Sequence, residues 1–467
     1  MRTSSATGGH VAGYRTEHDS HGSVRVPADA YYGAQTARSL QNFPIGDERV
    51  PPRLIRALGL VKVCAAEANL SLRTIDPALG DLIRTAAAEV AAGEHADQFP
   101  LRVWQTGSGT HTHMNVNEVI AGRANELAGR GRGGRDPVHP NDHVNLGQSS
   151  NDVVPTAMHV AVVDGLSGRL LPALEALVRS LEERARVCRG VLKVGRTHHM
   201  DAVPMPLARE IGAWAAQVDQ ARERVVSTVD GLFEVPLGGT AVGTGVNAPE
   251  GFADAAVARL VELSDRPFRR CEDRFAAQST HDPLVAVSAA LRGLAGTLVK
   301  IAADLRLLAS GPRAGLGELL LPANEPGSSF MPGKVNPSQA EALHMVCLHV
   351  IGLDATVSLA GMTGRFQLND NKPVIALALD RQTGLLADAC DSFRQRCVDG
   401  LEPDRERIRA LLEGSLAQAA ALTPVLGYDR TAAAVQKAVA EDLTLRESVL
   451  ALGLLDSERF DAIIAPA

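Results

Sequence analysis

The stretch Gly327–Pro337 reads GSSFMPGKVNP and interrupts a chain that is otherwise dominated by helical patterns. Its glycines and prolines exclude a regular helix or strand. Free backbone N–H groups, two hydroxyls, one lysine and one amide just before a helix suit a small anion. The spacing fits a phosphate loop poorly, because Val335 stands where such a loop has the hydroxyl residue that holds magnesium. The stretch therefore predicts a carboxylate-binding or catalytic loop, with an ordinary connector between helices as the alternative.

The bulk composition favours a mainly α protein with a large core. Of 467 residues, 45% are apolar and only 3% aromatic, so alanine, leucine and valine must fill the interior. The net charge of -7 does not favour a nucleic-acid or anionic-membrane partner. We find no signal peptide and expect no apolar run long enough to span a bilayer, which predicts a cytoplasmic protein. Six scattered cysteines without a CxxC pair predict buried free thiols.

Apolar residues recur at three- and four-residue steps over long segments, which predicts long helices. The longest patterns cover residues 166–188, 207–232, 283–309 and 338–362. Helices of this length favour an elongated bundle. We expect an N-terminal mixed and helical domain over 1–147 with a disordered tail over 1–13, a central long-helix domain over 148–403, and a small helical domain over 404–467.

Four polar stretches lie beside predicted helix starts, namely residues 107–117, 139–152, 195–201 and 327–336. Each alone is explained by helix capping. Together they predict a polar pocket at the ends of long helices. The chain has no GxSxG elbow, no HExxH motif and no dinucleotide fingerprint. His111 and His113 could offer two metal ligands, but nothing nearby completes a set.

Neutral donors with one lysine and one histidine suit the binding of a small dicarboxylate. They would also stabilise the charge that develops when a proton is removed next to a carboxylate. A general acid and base would complete such a site.

Gly327–Pro337 resembles the signature loop GSSxMPGKVNP of the fumarase/aspartase superfamily without a mismatch. The other three polar stretches match the remaining regions of that family in the same order, and the resemblance covers nearly the whole chain after Tyr14. The chain is most similar to class II fumarases, through Trp104–Thr110 and Pro337–Glu341. Aspartases tend to carry a Val-Pro-Glu run after the signature.

The resemblance implies a three-domain fumarase/aspartase-like fold with a central bundle of long helices. It also implies a homotetramer with active sites shared between subunits, no cofactor and no metal. The implied reaction is the reversible anti elimination of water from (S)-malate to fumarate through an aci-carboxylate intermediate, a step of the tricarboxylic acid cycle. An aspartase-type ammonia lyase, or a lyase acting on another substituted succinate, is the alternative. A non-catalytic homologue would be expected to lack Ser328, His198 or Lys334.

Individual roles follow from the same resemblance. Ser328 matches the base that takes the C3 proton, His198 a histidine associated with the leaving group and catalytic water, and Glu341 the acidic partner of that histidine. The matching substrate-binding residues are Ser108, Thr110, Ser149, Ser150, Asn151, Thr197, Lys334 and Asn336. A secondary dicarboxylate site is matched by His139, Asn141 and Asp142.

Several residues depart from the family pattern. His111 and His113 stand where fumarases usually have glutamine and asparagine, Leu146 replaces a lysine or methionine, and Arg365 replaces an asparagine. Asp136 falls where the secondary site usually has a basic residue. Because His113 lies close to the predicted pocket, we expect an effect on the leaving group or on the tolerated substituents.

Overall fold

The computed structural model describes residues 13–464. All of the predicted N-terminal tail except Gly13 lies outside the described residues. The remainder is mostly helical, which confirms the mainly α prediction.

The α-helices carry most of the described chain. In order they are α1 (Ala34–Asn42), α2 (Pro52–Ser71), α3 (Pro77–Ala92), α4 (Thr110–Leu127), α5 (Ser150–Gly165), α6 (Leu171–Val187), α7 (Leu207–Ser227), α8 (Phe252–Ser264), α9 (Arg274–Ser279), α10 (Asp282–Leu308), α11 (Ser338–Gly361), α12 (Lys372–Arg396), α13 (Arg405–Gly414), α14 (Ala419–Leu426), α15 (Tyr428–Glu441), α16 (Leu445–Ala451) and α17 (Ser457–Ile464). The predicted long helices are present. The sequence patterns did not identify α12.

The strands form short two-stranded pairs. These are β1 (Tyr14–Asp19) with β2 (Gly22–Pro27), β3 (Leu192–Thr197) with β4 (Met200–Pro206), β5 (Glu234–Val235) with β6 (Arg269–Arg270), and β7 (Leu319–Leu320) with β8 (Glu402–Pro403). Only the β5–β6 pair is parallel among them. The first pair lies in the N-terminal part of the chain, which was predicted to be mixed and helical. The β3–β4 hairpin contains residues 195–201, which were predicted only as a polar stretch beside a helix start.

Residue contacts divide the chain into two compact units. The first unit contains the chain through residue 170, with 224–292 and 350–384; the second contains 171–223, 293–349 and the chain from 385 onward. The boundaries fall within α7, α10, α11 and α12 and at the junction of α5 with α6. The three sequential domains expected from the sequence stay a prediction.

Helix α10 shows how the apolar periodicity becomes a core. The apolar residues that recur there at three- and four-residue steps are all buried, and they are Leu284, Val287, Leu291, Leu294, Leu298, Ile301, Leu305 and Leu308. Three- and four-residue steps place these side chains on one helix face.

Helices α10 and α11 are long and apolar enough, by length and composition, to cross a membrane. The expectation that no apolar run reaches that length is therefore wrong. Alanine, leucine and valine dominate both helices because a core poor in aromatic residues needs them for close packing. A core helix of a soluble protein has the same composition, so the finding is weak evidence for membrane insertion.

All six cysteines are buried and unpaired, as predicted. Burial raises the pKa of the Cys64 thiol to about 12 and that of Cys271 to about 11. These thiols therefore stay protonated at neutral pH and act as small apolar side chains.

The last four helices enclose a small apolar cluster within the second unit. Its buried members are Leu422, Ala434, Leu445, Val449 and Phe460. This cluster joins α14, α15, α16 and α17 through their own side chains.

Replacing Phe460 with alanine should loosen this cluster. The side chain is 2% exposed, and removing a buried phenylalanine costs about 3–5 kcal/mol. Hydrogen exchange should therefore become faster over 416–464 and change little elsewhere. Val439→Ala, on the exposed face of α15, should leave the exchange rates unchanged. Equal acceleration throughout the chain would show that this cluster does not stabilise the C-terminal helices separately from the rest of the chain.

Candidate active site

The loop 327–336 is closed at its base and exposed at its tip. The Gly327 N–H donates to the Lys334 carbonyl at 2.8 Å, and Asn336 Nδ2 donates to the Gly327 carbonyl at 2.6 Å. A Cβ on residue 327 would lie 2.4 Å from that Lys334 oxygen, so the closure requires glycine. Phe330 at the tip is 88% exposed. The loop is neither helix nor strand, as its composition predicts.

Ser328 sits in this loop with its hydroxyl oxygen turned toward backbone donors. Its Oγ accepts hydrogen bonds from the N–H groups of Phe330 at 3.1 Å and Met331 at 2.9 Å. Donors aimed at an oxygen favour its negatively charged form. The loop backbone is therefore arranged to stabilise a Ser328 alkoxide.

The β3–β4 hairpin carries Thr197 and His198 at its tip. Thr197 pairs with Met200, so His198 and His199 form a two-residue turn. Both have positive φ angles, 56° and 60°, as a type I′ turn requires. Positive φ angles are uncommon for residues other than glycine, although histidine adopts them more often than most, as asparagine and aspartate do. Both histidines are exposed in the single chain.

A buried charge cluster anchors this hairpin. Glu318 is fully buried and lies 2.8 Å from both Lys193 Nζ and Arg196 Nη1, which belong to β3. Lys193 Nζ also contacts Glu210 Oε2 at 2.6 Å. Two carboxylates and two cations therefore compensate one another around the buried Glu318 and Lys193, which fixes the strand that leads to His198.

Glu341 lies in the first turn of α11. Its Oε1 is 3.4 Å from Arg306 Nη2 of α10. Among the described residues of one chain, no hydrogen bond joins Glu341 to His198. The pairing of these two residues stays a prediction.

In the first unit, hydroxyl groups from two helix starts form a continuous chain. Ser108 Oγ is 2.7 Å from Thr110 Oγ1, which is 2.7 Å from Ser150 Oγ. Gly109 precedes α4 with φ 78°, a left-handed conformation that lets the loop turn directly into the helix. The start of α4 and the start of α5 thus present one polar surface.

The start of α5 is fixed by a capping box. Ser149 accepts from the backbone of its first turn, while Asp152 Oδ1 accepts from the Ser149 N–H at 2.9 Å. The buried Asp152 also accepts from the N–H groups of Gly238 and Thr240 through Oδ2. Burial raises the pKa of Asp152 to about 6. Asn151 Nδ2 donates to the Ala241 carbonyl at 2.8 Å, so the glycine-rich loop after residue 237 is held against this helix start.

The loop before α4 packs closely on the start of α12. A Cβ on residue 107 would lie 1.5 Å from the Asp370 carbonyl oxygen, so only glycine fits. The Lys372 N–H donates to the Gly107 carbonyl at 3.0 Å. Burial lowers the pKa of the Lys372 amine to about 8. Neither contact was foreseen, because α12 was not predicted.

His111 and His113 lie near this surface but bond to different partners. His111 Nδ1 is 3.0 Å from Ser39 Oγ, and His113 Nε2 is 2.7 Å from Lys62 Nζ. Residues two apart on a helix do not share a face. The two rings therefore do not act together as ligands of one metal ion.

The residues predicted for a secondary dicarboxylate site form one π-helical turn, Pro140–Val144, and its cap. His139 Nδ1 accepts from the N–H groups of Asn141 and Asp142, both at 3.1 Å. Burial lowers the pKa of the His139 imidazole. Asn141 also lines a cavity of about 520 Å³ with Arg38 and Arg135, although Arg38 is already paired with Asp19.

One group of side chains in the described part of the chain has metal-ligand spacing, namely Glu89, Glu94 and His95. Both Glu89 oxygens accept hydrogen bonds from Arg123, at 2.7 and 3.0 Å. The Arg123 guanidinium already supplies the positive charge beside Glu89, so these three side chains do not indicate a metal centre.

The predicted residues thus form two sets. Ser108, Thr110 and Ser150 are directly bonded in the first unit, beside Ser149 and Asn151. In the second unit, the loop holds Ser328, Lys334 and Asn336, and the hairpin holds Thr197 and His198. Sequence reasoning missed Lys62, because a lone lysine inside an apolar helical pattern gives no signal of burial.

Family models match most of the chain. A model described as lyase covers residues 22–352, and one described as fumarase C C-terminus covers 419–467. The chain is 54% identical over 452 residues to a class II fumarate hydratase of Pseudomonas syringae, with 97% of each chain covered. It is 53% identical over 447 residues to a class II fumarate hydratase of Thermosynechococcus vestitus, with 96% of each covered.

Solved structures agree with the sequence comparison. The class II fumarase from Schistosoma mansoni superposes with a TM-score of 0.92 at 43% identity, covering 97% of this chain and 98% of that one. The fold and sequence therefore define a lyase. The chain belongs to the class II fumarate hydratase family of the fumarase/aspartase superfamily, which confirms the resemblance and the fold type stated from the sequence.

Replacing Glu318 with alanine should destabilise the second unit. The substitution removes one of the two carboxylates that pair with Lys193, whose side chain is 2% exposed. Removing one partner of a buried ion pair costs about 3–5 kcal/mol of folding free energy. Urea unfolding measures this loss. Lys300→Ala removes the more exposed pair with Asp304 in α10 and should cost far less. Equal losses in the two variants would show that the Glu318 cluster does not anchor the hairpin.

Proposed function

We propose that this protein catalyses the reversible anti elimination of water from (S)-malate to give fumarate, through an aci-carboxylate intermediate. The single observation that carries the proposal is the Ser328 hydroxyl, whose oxygen accepts two backbone N–H groups. The names and full-length identity of the relatives support the same reaction.

Ser328 would act as the base. As an alkoxide it takes the proton from C3, and the electron pair of that C–H bond moves onto the adjacent carboxylate. The N–H groups of Phe330 and Met331 lower the cost of forming the alkoxide, because they already point at Oγ. Collapse of the aci-carboxylate then expels the C2 hydroxyl, which leaves as water once protonated.

The other predicted residues would bind the substrate and assist the leaving group. The exposed ammonium of Lys334 supplies charge for a carboxylate, and Asn336 keeps one amide hydrogen free after bonding to Gly327. The bonded hydroxyls of Ser108, Thr110 and Ser150, with Ser149, Asn151 and Thr197, provide neutral donors. His198, with Glu341 as its acidic partner, would serve the leaving group and the catalytic water. The reaction needs no cofactor.

His139, Asn141 and Asp142 would form the secondary dicarboxylate site. The Asn141 amide and the nearby Arg135 face one cavity, which supports this assignment. Because His139 Nδ1 accepts from the backbone, Nε2 carries the proton and is the donor available to an anion.

We further propose that four copies assemble with active sites shared between subunits. Along α11, apolar or small side chains are exposed at alternating three- and four-residue steps. The stripe consists of Met345, Leu348, Gly352, Ala355 and Leu359, and Met362 continues it directly after the helix. A heptad stripe of this kind packs against helices of other chains. The protein would act in the cytoplasm, in the tricarboxylic acid cycle.

Replacing Ser328 with alanine should lower turnover by orders of magnitude, because the proposed base is lost. Activity is followed by absorbance of fumarate at saturating malate. Ser329→Ala is the matched control, since Ser329 is exposed in the same loop, and should retain most activity. The assembly of both variants should match the original protein. An active Ser328→Ala variant would exclude Ser328 as the base.

The substrate is tested by supplying malate and aspartate in parallel to the unaltered protein. Fumarate should form from malate and not from aspartate. Formation from aspartate alone would identify an ammonia lyase and overturn the proposed reaction.

Replacing Leu348 with aspartate should dissociate the assembly, because a charge would enter the apolar stripe on α11. The mass in solution is measured by light scattering after gel filtration. Val439→Asp introduces the same charge at a residue that is 68% exposed and should leave the mass unchanged. A tetramer that persists in Leu348→Asp would show that the stripe is not an interface.

A further inference from the structure

Lys62 is a buried cation on α2 that the proposed chemistry does not use. Its residue is 1% exposed, and no carboxylate is bonded to it in the described part of the chain. Burial lowers the pKa of its amine well below the ordinary value, while the charge of Asp152 opposes that change. A buried lysine of this kind needs an explanation, because an unpaired ammonium away from water is costly.

Three neutral acceptors surround the Lys62 ammonium. They are His113 Nε2 at 2.7 Å, Gln148 Oε1 at 2.8 Å and Asn145 Oδ1 at 3.3 Å. An ammonium has three hydrogens to donate, so each hydrogen has one acceptor. These three bonds favour the charged form of Lys62, which burial alone opposes. These three acceptors replace the hydrogen bonds to water that the buried ammonium cannot make.

His113 serves this cluster as an acceptor. Burial, together with the neighbouring Lys62, lowers the pKa of the His113 imidazole well below its usual value. The ring is therefore neutral, and Nε2 can accept the Lys62 hydrogen. Its Nε2 is engaged in the interior and is not available to a leaving group.

The two amide acceptors belong to the turn that precedes α5. Gln148 Nε2 donates to the carbonyls of Val144 and Leu146, both at 3.1 Å, and Asn145 Nδ2 donates to the Gln148 carbonyl at 3.2 Å. Lys62 Nζ thus donates to the side-chain oxygens of Asn145 and Gln148. The side-chain nitrogens of the same two residues donate to backbone carbonyls within the turn. The next residue, Ser149, caps α5.

We propose that Lys62 and His113 are positioning residues that fix the turn 144–148, and through it the groups of Ser149, Ser150 and Asn151 that bind the dicarboxylate. The proposal rests on the proposed function, because it assigns those three residues to the substrate. His113 then affects substrate affinity by holding Lys62, and takes no part in proton transfer.

The test compares His113→Leu with His113→Gln. Leucine removes the acceptor, so KM for malate should rise about tenfold, the effect of one lost hydrogen bond to a charged group. The value of kcat should stay within about threefold. Glutamine restores an acceptor oxygen and should return KM to within about threefold of the original. The pH profile of kcat/KM should keep its shape in His113→Gln.

Two further variants distinguish the positioning role of Lys62 and His113 from a general loss of structure. Asn115→Leu removes a buried amide on the same helix, which donates to the Gln98 carbonyl at 3.0 Å, and should leave KM unchanged. Gln148→Leu removes a second acceptor of Lys62 and should raise KM as His113→Leu does. It also serves as the test if His113→Leu fails to fold.

Three results would overturn the proposal. They are an unchanged KM in both leucine variants at 113 and 148, a loss confined to kcat, or an inflection missing from the pH profile of His113→Gln. Failure of the proposed function is a separate outcome, because the unaltered protein would then form no fumarate from malate.

Discussion

Every helix begins with backbone N–H groups that have no partner inside the helix, and this constraint organises the candidate site. At the start of α5 and in the turn before it, the residues that satisfy this constraint were predicted to meet substrate or to stand beside it. Ser149 and Asp152 complete α5, and His139 caps the turn before it. The same polar side chains that cap these helix starts are the ones proposed to bind the substrate, so capping and binding are compatible roles in this chain.

Buried charges add rigidity around these helix starts. Asp152 accepts hydrogen bonds from three backbone N–H groups in two separate stretches, and Glu318 forms ion pairs with two cations of one strand. Each would be costly to bury alone. Apart from Ser149, their partners are distant in sequence, so the loops that carry these partners are held where they compensate the buried charge. Precise placement of otherwise irregular loops follows from this requirement.

Much of this could be read from the sequence, and the limits have physical causes. The periodicity of α10 and the capping residues before α5 are local signals, and both were read correctly. The β3–β4 hairpin was not recognised, because its turn consists of two histidines rather than asparagine or glycine. Lys62 was missed, since only the fold brings Gln148 and His113 to it. Whether a polar group is buried depends on residues far away in the sequence, so a local sequence pattern does not predict it.

The closure of the loop 327–336 has a mechanical consequence. Its two ends are joined by the Gly327–Lys334 and Gly327–Asn336 hydrogen bonds, so the chain enters and leaves at nearly one point. Those two bonds fix the distance between the flanking segments, whatever the conformation of the exposed tip around Phe330. The start of α11 is therefore mechanically independent of the tip.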